Sequence, residues 1–372
     1  MSAFAQSTVT VSGIVNYGMH NDTTKTTTYG GLKGDRNNLT FGVVEDLGSG
    51  SNVTATLQMR FNSGTGAAGY ANSEKSPNVG AGATQFEQVA LGYNSQLAAV
   101  RVGRFTNALG VYDYSVFEDS KYGTNASRAA YGRLSNTLQI TSPKFMGFQA
   151  AVLGAQGSTN VYGNPGGTTG AGFITGQNYS AQTQTGMTKG VNDFSSIVLN
   201  YENGPLALQY ADINGIAYEK ATRVAASWNA GWAKFYAGQY NQKNDIQVTV
   251  STSVADGVSA IVAPATFTAG GAGSGLAAHK STEYGVSVPY GQFTLRAAMQ
   301  TNNKDLDIGV TNGSTKVKKT TIGGEYALSK RTELQYQRMN VTNGVVATNP
   351  AIGGGFGDST GSAYFVGIQH KF

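Results

Sequence analysis

The chain has 372 residues, no cysteine and only 13% charged residues, against roughly 25% in an average soluble domain. Without thiols there is no disulfide framework, thiolate metal site or cysteine nucleophile. No apolar run approaches the ~18 residues of a membrane helix, and 40% hydrophobic content is too high for a disordered chain. The small excess of 26 Lys and Arg over 21 Asp and Glu is spread along the chain without a basic cluster, so nucleic acid is not an expected partner.

At the start, Ala3-Phe4-Ala5 followed by Gln6 reads as the small-x-small end of a secretory signal peptide. Residues 1–5 are accordingly expected to be a leader remnant. The texture beyond them is uniform, with no Pro-rich linker or charged block, so 6–372 is expected to be a single domain.

From there the chain alternates with period two, the mark of strands with one apolar and one polar side. Val9, Val11, Val15 and Tyr17 oppose Thr10, Ser12, Asn16 and Gly18. Leu39, Phe41 and Val43 follow, then Val53, Ala55, Leu57, Met59 and Phe61. The pattern returns around Val89–Tyr93, Val100–Val102, Leu134–Ile140, Ile197–Tyr201, Leu206–Tyr210 and Val224–Trp228. It returns again around Tyr284–Val288, Phe293–Ala297, Ile322–Leu328, Leu334–Tyr336 and Tyr364–Ile368. Segments 147–156 and 232–241 are strand-like without a clear facing.

Short polar joints at 45–52, 94–97, 142–147, 203–205, 229–231, 289–292 and 329–331 alternate with long Gly/Ser/Thr/Asn-rich stretches at 20–35, 63–84, 106–130, 157–192, 243–280, 303–316 and 342–360. About sixteen strands with short turns at one end and long loops at the other fit an all-β transmembrane barrel. A soluble sandwich would have to hide all these apolar faces inside. A membrane barrel turns them outward to lipid and leaves every backbone polar group paired.

Several blocks carry a resemblance. Phe41-Gly42 followed by Glu45-Asp46-Leu47-Gly48, Val100-Arg101-Val102-Gly103-Arg104, Arg133-x-x-Asn136 running to Ser142-Pro143-Lys144-Phe145-x-Gly147-Phe148, Asn203-Gly204-Pro205-Leu206, Tyr326-Ala327-Leu328-Ser329-Lys330-Arg331-Thr332 and Val366-Gly367-Ile368-Gln369-His370-Lys371-Phe372 together resemble Gram-negative trimeric porins of the betaproteobacterial type. The resemblance implies a 16-stranded antiparallel barrel with short periplasmic turns, long extracellular loops and an inward-folded third loop. It also implies a homotrimer in the outer membrane, and passive diffusion of ions and small hydrophilic solutes without a cofactor. Outer-membrane lipid, lipopolysaccharide and the barrel-assembly machinery follow as partners. A terminal Phe372 preceded by outward His370, Ile368, Val366 and Tyr364 looks like the tag that this machinery reads.

By the same resemblance, the third loop, about 106–130, narrows the lumen. It brings Asp113, Glu118 and Asp119 as candidate constriction acids. On the wall, Arg36, Arg60, Arg101, Arg133 and Arg296 share the polar parity of their segments. A lipid-facing Arg at the midplane would cost roughly 2–4 kcal/mol, so these are expected to face the lumen. Arg133 matches a pore arginine of the family. Asn38, however, stands where the family commonly has arginine, Arg60 where it often has glutamate, and Glu87 and Gln88 near a further basic position. The expectation is therefore a transverse field with weak anion preference.

Three other classes compete with this reading. An outer-membrane enzyme needs a nucleophile with a base. The histidines are His20 and His279, read as loop residues, and His370 on the last strand, none in a Gly-x-Ser-x-Gly elbow. A substrate-specific channel shares the fold and is separated by saturable transport. A secreted adhesin would show fixed-period repeats, and none is evident.

Overall fold

The alternating segments form strands throughout the computed structural model, which describes residues 7–21, 27–30, 37–61, 63, 86–111, 116, 136–155, 194–214, 220–243, 279–306, 313–342 and 361–372. The expected leader remnant at 1–5 and most of the expected long loops lie outside these residues. In chain order the strands are β1 (Ser7–Asn21), β2 (Thr27–Gly30), β3 (Asn38–Gly48), β4 (Ser51–Arg60), β5 (Phe86–Asn94) and β6 (Ala99–Arg104). A single helical turn, α1 (Ala108–Val111), precedes β7 (Thr137–Thr141), β8 (Phe148–Ala155), β9 (Phe194–Asn203), β10 (Leu206–Asn214) and β11 (Lys220–Asn229). The remainder are β12 (Lys234–Lys243), β13 (His279–Tyr290), β14 (Phe293–Leu306), β15 (Gly313–Ala327), β16 (Thr332–Thr342) and β17 (Gly361–Lys371).

Each strand from β3 to β17 pairs antiparallel with the next, and β1 closes the ring between β17 and β3. The four-residue β2 adds only to the upper end of β1, through Gly18–Asn21. The result is a closed 16-stranded antiparallel barrel, each strand corresponding to a segment read from the alternation. Two connections depart from that reading. The first turn is only Ser49–Gly50, because pairing continues to Gly48 and Ser51. A further connection, 215–219 between β10 and β11, was not anticipated, since it is too short to leave a Gly/Ser/Thr-rich stretch. His20 and His279 also stand at strand ends, not in loops.

Turn chemistry explains one resemblance block. In Asn203-Gly204-Pro205-Leu206, Gly204 has φ +56° and Asn203 pairs with Leu206. A two-residue hairpin turn of this hand requires glycine at its first central position.

The outer and inner faces separate as the alternation implies. Val9, Leu91, Ile140, Ile197, Val224, Leu295, Ile322 and Val366 are all exposed on the outside. Near the short turns the outer surface is aromatic, with Tyr93, Phe148, Trp228, Trp232, Tyr290 and Phe293 exposed. Phe148 stacks obliquely on Tyr201 at 4.6 Å and Phe293 on Tyr326 at 4.7 Å. Amphipathic rings of this kind sit at a membrane–water boundary.

The inner face is not uniformly polar, however. Ala151, Leu153 and Ala155 of β8, Phe194 and Val198 of β9, Ala211 and Ile213 of β10, Ala221 of β11 and Tyr240 of β12 form a buried apolar cluster with Ala108 and Leu109 of α1. That patch explains the unclear facing of 147–156, where Val152 points outward and Leu153 inward onto α1. Both faces of the strand are apolar, but for different neighbours.

Closure is made at Gly13 and Phe372. The Gly13 amide donates to the Phe372 carbonyl and the Phe372 amide to Gly13, both at 3.1 Å. A Cβ at Gly13 would stand 2.4 Å from Phe372 Cζ and 2.5 Å from the Asn38 carbonyl oxygen. Gly13→Val is therefore expected to impair closing of the seam. The heat-resistant folded band on electrophoresis should fall well below wild type, and an equal folded fraction would refute this account of the seam.

Candidate functional site

A segment that leaves a strand into the lumen carries backbone groups that must find partners there. Inner-facing side chains supply them where β6 runs into α1. The Thr106 amide donates to Gln88 Oε1 at 2.8 Å and the Ala108 amide to Gln139 Oε1 at 2.8 Å. The Leu109 amide is held by Asn107 Oδ1 at 3.0 Å. From the far wall, Gln209 Nε2 donates to the Ala108 carbonyl at 3.5 Å and Arg223 Nη1 to the Leu109 carbonyl at 2.6 Å. Together with the apolar cluster, these bonds dock the start of the third loop against the inner wall of β8–β12.

A second attachment lies at Val116, which is buried with Ala298 and packed against the half-buried Tyr236. Its carbonyl accepts from Arg296 Nη1 at 3.0 Å.

Arg60, Arg101 and Arg296 do face the lumen, and each meets a different environment. Arg60 pairs through Nε with Glu87 Oε2, both side chains being almost wholly buried. A bulge makes this possible. Gln58 pairs with Gln88 but Met59 with Phe86, so Glu87 is the extra residue and turns to the inner side. Simple alternation puts Glu87 on the outer parity with Val89. Arg296 Nη2 binds Glu325 Oε2 at 2.8 Å while Nη1 holds the loop. Arg101 meets a hydroxyl and a ring instead of a carboxylate. Its Nη2 is 3.3 Å from Thr56 Oγ1, and its guanidinium lies 4.6 Å over the Phe105 ring.

Beside these, amides form a ladder across β3–β5. Gln88 Nε2 donates to Gln58 Oε1 at 2.8 Å, Gln58 Nε2 to Thr40 Oγ1 at 2.8 Å, and Thr40 Oγ1 to Asn38 Oδ1 at 3.2 Å. Asn38 is therefore joined to the loop by a hydrogen-bonded chain through Thr40, Gln58, Gln88 and Thr106.

Of the other candidates, Arg36, Arg133, Asp113, Glu118 and Asp119 lie outside the described residues. Tyr364, Val366, Ile368, His370 and Phe372 all face outward along β17 and its end, with His370 Nδ1 2.9 Å from Thr332 Oγ1. Reading for charge missed Arg223, although it alternates with Val224 on the polar parity. It also passed over Gln88, Gln139 and Gln209, whose role appears only when the loop is beside them.

Removing Arg60 would leave Glu87 buried without its cation, a change that typically costs about 3–5 kcal/mol. Arg60→Ala is expected to lower the denaturant midpoint of the refolded barrel strongly, and the double change Arg60→Gln, Glu87→Gln to recover most of it. A single variant as stable as wild type would show that the pair is not a structural tie.

Comparison with known proteins agrees with this architecture. A profile for Gram-negative porins matches residues 1–344. No curated protein matches the sequence significantly. Among solved structures, an anion-selective porin from Comamonas acidovorans is similar over 99% of this chain and 100% of its own, with 19% identity and a TM-score of 0.64. A loop-deletion mutant of OmpT, an outer membrane protein of Vibrio cholerae, matches over 98% and 99% with 9% identity and a TM-score of 0.64. An engineered porin of Rh. blastica matches over 98% and 100% with 12% identity and a TM-score of 0.58.

Proposed function

Because the chain belongs to the Gram-negative porin family and forms an outer-membrane channel, we propose that it passes ions and small hydrophilic solutes by unassisted diffusion, with a weak preference for anions. The observation that carries the reading is a closed barrel with an apolar skin, enclosing a lumen lined by amides and arginines, with the start of the third loop and Val116 docked on its inner wall. A polar solute keeps hydrogen-bonding partners all the way through, while an apolar one gains nothing.

The weak preference follows from the charge pairing. Arg60 and Arg296 are matched by Glu87 and Glu325, so each pair contributes little net field. Among the described residues Arg101 meets a hydroxyl and a ring and no carboxylate, so its positive charge adds to the field, and field lines focus in a lumen with low-dielectric walls. Arg133, together with Asp113, Glu118 and Asp119 on the loop, completes the proposed constriction, with Arg36 on the same wall. The anion selectivity of the Comamonas acidovorans porin lends the same direction.

The working form is a homotrimer, each chain a single barrel. The outward row Tyr364, Val366, Ile368, His370 and Phe372 serves the barrel-assembly machinery. Lys316, Lys318 and Arg338 lie exposed on the outer parity of β15 and β16 toward the loop end, where they suit the phosphates of lipopolysaccharide. Passage needs no cofactor and no enzymatic step.

Reversal potentials in a KCl gradient across planar bilayers test this. Wild type should reverse slightly on the anion side, and Arg101→Gln and Arg133→Ala should each move it toward cations. Clear cation preference in wild type, or an unchanged Arg133→Ala, overturns the assignment. Solute flux should rise linearly with concentration, and saturation by one solute would favour a substrate-specific channel.

A further inference from the structure

The inner row formed by Tyr236, Gly285 and Ala298 on β12, β13 and β14 contains one missing side chain. Tyr236 pairs with Gly285 and Gly285 with Ala298, so the three lie side by side across adjacent strands. Val116 fills the gap. A Cβ built on Gly285 would stand 2.0 Å from Val116 Cγ2 and 3.1 Å from Val116 Cβ, so no larger residue fits without moving the loop. The valine is 2% exposed and packs against Ala298 and Tyr236. Its carbonyl is tied by Arg296, whose other amino group is tied to Glu325. The knob is thus held by shape from below and by a charge-assisted hydrogen bond from the side.

We infer that Gly285 is an aperture-setting residue, the hole into which Val116 drops so that the chain at Val116 lies against the wall. This rests on the diffusion-channel reading and adds to it the position that fixes how much of the cross-section stays open. Gly285 touches no solute and bears no charge. Its influence is positional, exerted through Val116, and so concerns size and rate, not the sign of the permeating ion. Of the two attachment points, the one at Ala108 and Leu109 is broad and shared among five strands. The one at Val116 rests, among the described residues, on one hole and one hydrogen bond, and is the more sensitive to a methyl group.

Relieving a 2.0 Å approach to ordinary contact near 3.5–4 Å moves the loop inward by about 1.5–2 Å at that point. Gly285→Val should therefore lower single-channel conductance, by roughly a quarter to a half where one wall of a narrow passage advances that far. Swelling rates of proteoliposomes should fall more steeply for larger sugars than for small ones, with the KCl reversal potential unchanged. Adding Val116→Gly to Gly285→Val should restore conductance toward wild type, which a general loss of stability would not allow. If Gly285→Val fails to assemble, Gly285→Ala and the enlarged knob Val116→Phe should each narrow the channel in the same way.

Wild-type conductance in folded Gly285→Val, or a loss that Val116→Gly does not relieve, overturns the inference. The two readings separate cleanly. A wild-type chain that carries no current in bilayers defeats the channel reading, whereas a conducting wild type with a Gly285 variant of equal conductance defeats only the aperture role.

Discussion

A backbone amide or carbonyl left unpaired in hydrocarbon costs several kcal/mol, and that penalty shapes this molecule more than any side-chain contact. Sixteen strands answer it by pairing each with two neighbours, and the answer is complete only because β1 reaches β17 on one edge and β3 on the other. Gly13 and Phe372 sit where the circle joins. The outer skin follows from the same constraint. Once the backbone is satisfied by the ladder, the side chains facing lipid need only be apolar, and period-two alternation supplies them.

Inside the ring the constraint takes a second form. A loop entering the lumen brings backbone groups with no ladder to join, so the wall provides partners individually: Gln88, Gln139, Gln209, Arg223 and Arg296. It also provides an apolar bed of small and branched side chains under Ala108 and Leu109. The wall of β8–β12 is therefore apolar on both faces, toward lipid outside and toward the loop inside.

The arginines divide their work accordingly. Arg223 and Arg296 hold loop carbonyls, Arg60 is tied to a carboxylate, and Arg101 lies against a hydroxyl and an aromatic ring. Counting arginines on the polar parity would overstate the positive field, because Glu87 and Glu325 cancel part of it at contact distance. The matched pairs add rigidity where selectivity would otherwise be expected, and this is why a lumen rich in arginine need not be strongly anion-selective.

The strands, their outward faces and the short turns were readable from the chain, because period-two hydropathy and turn residues such as Asn203-Gly204-Pro205 are local properties of neighbouring residues. Arg60, Arg101 and Arg296 were readable as lumen residues for the same reason. Glu87 was not, since a bulge shifts parity without leaving a mark in composition, and the connection at 215–219 was too short to be seen. Which side chain meets which across the lumen, Val116 on Gly285 or Leu109 on Arg223, was decided only when the ring closed and set residues more than a hundred positions apart against each other. Sequence alone determined which way residues point along strands of clean alternation; the tertiary structure decided what they meet there and where a bulge turns one about, because alternation is a property of one strand and contact a property of the whole barrel.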